Sequence, residues 1–403
     1  MAEDVRDEVR AWLAESWDAE RPLLEWRSLL ADAGWGCPTW PLRWFGRGLD
    51  AAGAAVVQQE FARAGAVGAA SGSGMGLVAP TILEHGSDEV KRLLLRRILT
   101  GEDKWCQLFS EPGNGSDLAG LTTRAERDGD EWVVNGQKVW TTGAGHAAYG
   151  MLLARTDRDA PKHDGITWFA FPMRQSGVEV RPLRQMNFHA SFNEVFLTDA
   201  RVPDANAVGA VGDGWRVART TLGHERGLAG RIVAVPPNAR GRTAREATAE
   251  AADYLKTYEW YPQRAGRPDL TIPQARVAGL AADRLVRQDL ARLVAVERTA
   301  RWSAERARAA RARGASNGSP GPEGSIAKLC ASEIARASAR LHTRLAGAAG
   351  MLAGTDPHAP ADGVIAEVLI SVPAVSIAGG TDEIQHNIIG ERSLGLPKEP
   401  DAR

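Results

Sequence analysis

The spacing of hydrophobic and polar positions divides the chain into a helical part, a β-rich part and a second helical part. Residues 5–101 carry apolar positions at helical spacing, with Gly/Pro-rich breaks at residues 34–41 and 71–76. From about Lys104 the pattern changes to short runs of β-branched and aromatic residues, separated by turn dipeptides such as Asn135-Gly136. They predict a compact antiparallel barrel or sandwich. The runs lie at residues 132–140, 151–155, 166–171 and 193–198.

Helical spacing returns after Pro203 and continues to the C-terminus. Ala, Leu, Arg and Glu dominate residues 273–313 and 325–345, which predicts two long helices. The Gly, Ser and Pro content of residues 314–325 predicts a loop between them. We therefore predict an α+β fold in three domains. They are an N-terminal helical domain at 1–103, a middle antiparallel β-barrel or sandwich at 104–211, and a C-terminal helical bundle at 212–403.

Charge and composition narrow the classes of function. The 403 residues include 49 Lys and Arg against 50 Asp and Glu, a net charge of -1, which supplies no general attraction for nucleic acid or an anionic membrane. The chain has no run of eighteen apolar residues and no apolar signal segment near its charged N-terminus, so we expect a cytoplasmic protein without membrane insertion. Three widely spaced cysteines predict neither a disulfide framework nor a CxxC zinc site, and we expect no metal.

The densest polar and glycine-rich segment is QLFSEPGNGSDLAG, at residues 107–120. Its backbone N–H groups, the hydroxyls of Ser110 and Ser116 and the close approach that Gly113 and Gly115 permit suit the polar edge of a ring or a phosphate. A tight turn capped by Ser or Asn explains the same residues.

A second segment, KVWTTGAG at residues 138–145, places a large aromatic residue beside two hydroxyls. Trp140 would cover one face of a flat cofactor while Thr141 or Thr142 donates to a ring nitrogen. From the residues alone, a buried strand tryptophan with β-branched neighbours is the favoured interpretation.

A third segment, residues 377–397, contains two glycines followed by Thr381, Asp382 and Glu383. This order predicts a helix start in which Thr381 caps and free N–H groups face an anion. An ordinary N-cap accounts for the pattern equally well.

Together and in this order, the three segments resemble the signatures of the acyl-CoA dehydrogenase family. FSEPGNGSDLAGLTTRA and VNGQKVWTTGA are similar to its two flavin-binding segments, and GGTDEIQHNIIGER with LGLP is similar to its C-terminal signature. The resemblance covers nearly the whole chain. It implies an N-terminal helical domain, a middle β-domain and a C-terminal four-helix bundle. It also implies FAD held between subunits of a homotetramer or heterotetramer, an acyl-CoA substrate and an electron-transfer flavoprotein as oxidant.

The resemblance also implies roles for individual residues. Trp140 matches the aromatic cover of the flavin ring, with Thr141 beside it, and Thr142 matches the hydroxyl that bonds flavin N5. The other implied FAD contacts are Gln107, Leu108, Phe109, Ser110, Gly115 and Ser116 near the ring and pyrophosphate, Thr381 and Glu383 near the C-terminal glycines, and Arg344 and Gly347 at the adenosine half of a neighbouring subunit's FAD. The implied substrate contacts are Ser116, Arg226 and Gly380.

The usual catalytic base of the family is absent. In most members a glutamate precedes the Gly-Thr of the C-terminal signature, and here that position is Gly379, whose backbone N–H would still support the thioester carbonyl. Some members instead carry the glutamate before an arginine on the first long helix of the C-terminal domain, where this chain has Glu225 and Arg226. We predict that Glu225 is the base. A helix glutamate paired with a neighbouring cation is the structural alternative.

A second departure concerns the FAD pyrophosphate. Many members have an arginine and a phenylalanine where this chain has Pro262 and Ala265. Arg264, Arg267 or Arg276 would have to replace that arginine. If none of them does, we expect either weak FAD binding or a partner subunit that completes the site.

The predicted reaction is α,β-dehydrogenation of an acyl-CoA thioester, in which Glu225 removes the α-proton and FAD N5 accepts the β-hydride. Three alternatives remain open. The first is the same chemistry on an acyl-carrier-protein thioester, and the second is a flavin oxidase or monooxygenase of the same fold. The third is a non-catalytic subunit of a heteromeric enzyme.

Overall fold

The structure is a computed structural model that describes residues 2–225, 235–312, 321–354 and 356–398. It divides the chain into two compact units. Unit 1 comprises Met1–Arg184 and Ala190–Thr257, and unit 2 comprises Gln185–His189 and Tyr258–Arg403.

Unit 1 begins with a set of helices whose ends carry the expected local signals. Asp50 and Ser87 cap two of them by accepting from backbone N–H groups three residues on, and Gly65 and Gly101 end the same two helices in the left-handed region. The Gly-rich segment that was predicted as a break is in part a π-turn, Gly74–Val78, which leads directly into the next helix. The helices are α1 (Ala2–Ser16), α2 (Leu23–Ala33), α3 (Ala51–Ala64), α4 (Ala79–His85) and α5 (Asp88–Thr100).

A single sheet follows, with the strand order β6-β7-β3-β2-β4-β5-β8 and with β1 pairing with β4. The strands are β1 (Trp105–Leu108), β2 (Arg124–Asp128), β3 (Glu131–Thr142), β4 (Tyr149–Arg155), β5 (Ile166–Pro172), β6 (Val178–Leu183), β7 (Phe192–Pro203) and β8 (Ala207–Val208). The α+β class is confirmed, but the sheet is mixed, because β1 runs parallel to β4. A long excursion between these two strands returns the chain in the same direction, which a hairpin cannot do.

Both faces of the central strands are covered. Met151 and Leu153 pack into one hydrophobic cluster with α4 and α5, whereas Leu152 and Ala154 pack into a second cluster with β7. Successive side chains of a strand point to opposite faces, so a strand covered on both sides is a continuous apolar run. This explains why residues 151–154 show no alternation of hydrophobic and polar residues.

Two more helices complete unit 1, namely α6 (Gly214–Glu225) and α7 (Gly241–Lys256). Hydroxyl contacts fix α6 against α4, because the Thr81 and Thr221 hydroxyls lie 3.1 Å apart and His85 Nε2 lies 2.7 Å from the Thr220 hydroxyl. These contacts set the position of Glu225 at the last residue of α6.

Unit 2 is helical. Its helices are α8 (Tyr261–Arg264), α9 (Pro268–Val277), α10 (Arg284–Ala312), α11 (Glu323–Ala346), α12 (Val364–Ser371), α13 (Pro373–Ile377) and α14 (Asp382–Ile388). The single helix predicted from residue 273 was wrong at its start, because α9 ends at Val277 and Gly279 adopts a φ of +70° before α10 begins. The predicted loop falls largely outside the described residues, and its last residues already belong to α11.

One range of the described residues, Pro360–Ser393, is long and apolar enough to cross a membrane by composition, and an 18-residue window within it has a mean hydropathy of 1.8. Only 28% of its apolar window is buried. A spanning helix needs continuous internal hydrogen bonding. Here the range is divided into α12, α13 and α14, and Gly379 and Gly380 have φ values of +71° and +85°. The absence of membrane insertion stays a prediction.

Candidate active site

The first candidate segment leaves β1 and runs along the surface of unit 1. Leu108 and Phe109 are buried in the two hydrophobic clusters, so only their backbone atoms can face a ligand. Gln107 and Ser110 are half-buried, and Gly115 and Ser116 are exposed. The segment therefore offers polar side chains and backbone groups along one edge.

Trp140 lies in a β-bulge of β3. The register between β3 and β7 shifts between Lys138 and Thr141, and Trp140 has a φ of +61°. A bulge bends the strand and redirects a side chain. As a result the indole of Trp140 is 57% exposed, and it contacts Phe192 edge to face with 5.6 Å between the ring centroids. The buried strand tryptophan, which the residue pattern alone favoured, is wrong.

The threonines after Trp140 differ from each other. Thr141 is fully buried, and its hydroxyl has no hydrogen-bond partner among the described residues. Asn193 donates to the Thr141 carbonyl at 2.8 Å and fixes the backbone there. Thr142 is half-buried at the end of β3.

A buried ion pair joins the two segments. The Lys138 ammonium, which is fully buried, lies 2.9 Å from Glu111 Oε1 and donates to the Phe109 carbonyl at 3.1 Å. Burial opposes ionisation of Glu111, but the charge of Lys138 and hydrogen bonds from Thr122 and Thr123 outweigh it and lower the pKa of this carboxyl to about 2. Burial lowers the pKa of Lys138 to about 8, against the raising effect of Glu111. Both groups are therefore charged at neutral pH.

Glu225 is close to the first segment. Gln107 Nε2 donates to Glu225 Oε2 at 3.4 Å, although the two residues are 118 positions apart. The structure thus brings the predicted base next to a residue that was predicted to face the flavin. Arg226, a predicted substrate contact, lies outside the described residues.

In unit 2, the glycine turn that precedes α14 has the predicted shape. Thr381 caps α14 by accepting from the Ile384 N–H at 3.3 Å, and Gln385 Nε2 donates to the Gly379 carbonyl at 3.1 Å. A Cβ atom at Gly379 would have nothing within 4 Å, so the missing glutamate side chain leaves open space there. Glu383 is exposed, and hydrogen bonds from its own N–H and from Thr381 lower its pKa.

Asp382 anchors this turn to α11. Lys328 Nζ and the Ser332 hydroxyl donate to Oδ1 at 2.6 and 2.7 Å, and Arg336 Nη1 donates to Oδ2 at 2.5 Å. Burial opposes ionisation, but these three donors outweigh it and hold the pKa of Asp382 well below its usual range. Asp382 was seen in the sequence only as part of a helix start.

The other predicted contacts of unit 2 lie elsewhere in it. Arg344 is paired with Asp289, and Gly347 adopts a φ of +54° directly after α11. Of the proposed substitutes for the pyrophosphate arginine, Arg267 is bound to Asp269 at 2.7 Å, and the Arg264 guanidinium stacks over Tyr261 at 5.0 Å. The structure does not select one of them.

The residues of unit 1 fit a flavin. The buried Thr141 hydroxyl without a partner, the exposed indole of Trp140 and the open surroundings of Gly113 and Gly115 are what a flat, polar-edged ring requires. No group of three His, Cys, Asp or Glu residues suited to a metal ion occurs in the part of the chain that the structure describes.

Neither Lys138 nor Glu111 was predicted from the sequence as a functional residue. The available signal was the alternation of β3, in which Lys138 shares the parity of the buried Trp132 and Val134. A lysine on the buried face of a strand requires a counter-charge. The spacing of residues along β3 does not identify the acidic residue that supplies this counter-charge.

Three family models match the chain. The acyl-CoA dehydrogenase N-terminal domain matches residues 1–102, the middle domain matches residues 106–200 and the C-terminal domain matches residues 272–394.

The proteins and solved structures similar to this chain include acyl-CoA dehydrogenases. Acyl-CoA dehydrogenase IpdE1 of Mycobacterium tuberculosis is 35% identical over 98% of this chain and 98% of its own length. Acyl-CoA dehydrogenase FadE34 of the same organism is 36% identical over 98% of this chain, which spans 49% of FadE34. Among solved structures, the Tcur3481-Tcur3483 steroid ACAD is 27% identical with a TM-score of 0.65, covering 99% of this chain and 98% of that one. The ChsE4-ChsE5 complex from Mycobacterium tuberculosis is 28% identical with a TM-score of 0.63 and the same coverage.

Proposed function

Since the chain belongs to the FAD-dependent acyl-CoA dehydrogenase family, we propose that it forms an α,β-double bond in an acyl-CoA thioester with Glu225 as the base. The observation that carries this proposal is the 3.4 Å contact between Gln107 Nε2 and Glu225 Oε2. It puts a carboxylate beside Gln107, which we propose to face the flavin, in a chain whose C-terminal signature has Gly379 in place of glutamate.

Each residue has a defined task in this proposal. Glu225 accepts the α-proton, and the Gln107 amide orients the carboxylate by donating to one of its oxygens. FAD, when bound, accepts the β-hydrogen as hydride. Trp140 covers the ring and excludes water from it.

We propose further that the chain acts within a hetero-oligomer on a bulky acyl group. Of the two similar solved structures, one is named as the ChsE4-ChsE5 complex and the other as the Tcur3481-Tcur3483 steroid ACAD, and both names support this proposal. The departure at Pro262 and Ala265, with Arg267 already bound to Asp269, supports a partner that completes the pyrophosphate site. An electron-transfer flavoprotein as oxidant and a cytoplasmic location belong to the same proposal.

The test is anaerobic mixing of the FAD-loaded protein with short, branched, long and polycyclic acyl-CoAs while the visible absorbance of the flavin is recorded. We expect bleaching with one class of substrate. In Glu225→Gln the bleaching rate should fall by about 10² to 10⁴-fold, the usual contribution of a general base, with the FAD content unchanged. Glu126→Gln, which changes a glutamate of β2 with 63% side-chain exposure, is the matched control and should bleach normally.

A non-catalytic subunit is the second candidate, and the departure at Pro262 favours it. Normal bleaching in Glu225→Gln would reject Glu225 as the base. A flavin-loaded protein that no acyl-CoA bleaches would instead point to another carrier or to an oxidase or monooxygenase. A preparation without flavin would favour a partner subunit, and co-expression with that partner would then have to restore the colour.

A further inference from the structure

The pair of Lys138 and Glu111 lies between the two segments of unit 1 to which the proposed function assigns the flavin, and the inference below rests on that assignment. Lys138 is two residues before Trp140 on β3, and Glu111 directly follows Ser110 on the first segment. The side chain of Lys138 is fully buried, and that of Glu111 is 3% exposed. No role in dehydrogenation follows from the chemistry of either group, because both are turned into the protein.

The contacts of the pair run from one segment to the other. The ammonium of Lys138 holds both the Phe109 carbonyl and the Glu111 carboxylate, at 3.1 and 2.9 Å. The backbone repeats this link, because the Val139 N–H donates to the Ser110 carbonyl at 2.9 Å. The position of Phe109 and Ser110 relative to β3 is therefore set at three points.

Glu111 extends the link to a third strand. Its carboxylate accepts from the Thr122 N–H and hydroxyl, both at 2.7 Å, and from the Thr123 N–H at 2.8 Å. Thr123 directly precedes β2, which pairs with β3. All the hydrogen bonds of the carboxylate are thus used to hold the loop after β1 against two strands, and none points to solvent.

A contribution to the stability of the fold does not by itself explain why the protein contains this buried ion pair. Removing two charges from water costs several kcal/mol per ion, and replacing a buried pair by neutral residues of similar size is often neutral or stabilising. The pair does, however, fix one arrangement of the two segments, since either charge alone would be buried without a counter-charge. It lies where the bulge at Trp140 has already interrupted the regular pairing of β3.

We propose that the Lys138–Glu111 pair is a positioning element that sets the spacing between the flavin-facing segment at residues 107–110 and Trp140. Neither residue touches the flavin. They act through the backbone of Phe109 and Ser110 on one side and through β3 on the other. This inference does not depend on Glu225 serving as the base.

The decisive variant is the double substitution Lys138→Met with Glu111→Gln. It removes both charges with little change in volume, and the new amide oxygen can still accept from the N–H groups of Thr122 and Thr123. The control is Arg10→Met with Glu60→Gln between α1 and α3, which neutralises a carboxylate as buried as that of Glu111. Arg10 Nε contacts Glu60 at 2.8 Å, and Arg6 and Arg63 contact the same carboxylate. Lys138→Met alone, which leaves Glu111 buried without a counter-charge, serves as the disruptive reference.

Three readouts are measured on each protein, in addition to its unfolding midpoint. They are the Kd for FAD from titration of the flavin-free protein, the visible circular dichroism of the bound flavin, and hydrogen exchange of the Val139 amide without FAD. In the double variant we expect an unchanged unfolding midpoint and a Kd for FAD that is about tenfold higher, which corresponds to the loss of one charged hydrogen bond. We also expect an altered circular dichroism of the bound flavin and faster exchange of the Val139 amide. The control pair should leave all three readouts unchanged.

Two outcomes would overturn the proposal. If the double variant binds FAD with the original Kd and spectrum, the pair does not position the segments. If the double variant loses its fold while the control pair keeps it, the pair acts on stability instead. Activity is not among the readouts, so failure of Glu225 as a base leaves this test intact.

Discussion

Replacing Asp382 by asparagine removes a buried anion on which three donors converge. Asp382 is 6% exposed and receives hydrogen bonds from Lys328, Ser332 and Arg336 at 2.5 to 2.7 Å. Breaking a buried pair costs about 3 to 5 kcal/mol. The Arg336 side chain is 40% exposed and regains water, so we expect the lower end, about 3 kcal/mol. The side-chain oxygen of the asparagine can still accept a hydrogen bond from one donor, which also favours the lower end of this range.

The assay is native-state hydrogen exchange of the amides of α14 and of the turn before it. A loss of about 3 kcal/mol corresponds to exchange about 100-fold faster, since each 1.4 kcal/mol is a factor of ten. Glu305→Gln on α10 is the control. Its contact with Arg301 is 3.9 Å long and both side chains are more than half exposed, so its effect should stay below about 0.5 kcal/mol.

The same substitution has a defined pH dependence. The pKa of Asp382 in the folded protein lies below its ordinary value of 3.8, so its stabilisation is complete above about pH 5 and is lost as the pH falls through the folded-state pKa. The native protein and Asp382→Asn should therefore differ most near neutral pH and converge in acid. Equal exchange rates at pH 7, or a difference that does not shrink on acidification, would refute this reasoning.

Two further predictions concern packing and thiol chemistry in unit 1 and unit 2. A Cβ at Gly214 would meet the backbone of Thr167 at 2.6 Å. Gly214→Ala should therefore displace α6 and lower the free energy of unfolding, measured by denaturant titration, by about 1 to 3 kcal/mol. Gly145→Ala, with open space around its Cβ, is the control and should change this free energy little. Burial raises the pKa of the Cys106 thiol to about 12. A thiol reagent should therefore label the half-buried Cys330 before Cys106 in the native protein. Equally fast labelling of the two cysteines would contradict the burial of Cys106.

Much of the fold follows from local pattern. The spacing of apolar residues predicted helices, then strands, then helices, because the periods 3.6 and 2 are properties of short segments. The same local rules failed where a local break competes with a helical composition. Gly279 separates α9 from α10, and its left-handed conformation outweighs the helix-favouring residues on both sides.

The candidate site was predicted in part. The three chemical segments and Glu225 were found from the order of residues and from the family resemblance. The exposure of the Trp140 side chain was not predicted, because it depends on a shift of register between β3 and β7. That register is set by the pairing of two strands whose facing residues are more than fifty positions apart.

By itself the sequence determined the helical and β-rich parts, the order of the chemical segments, and the absence of glutamate at Gly379. Only the tertiary structure decided which charges meet. Lys138 finds Glu111 across 27 residues, and Glu225 comes within 3.4 Å of Gln107 across 118 residues. Propensity and periodicity act between near neighbours, whereas the burial of a charge is set by the packing of distant elements around it.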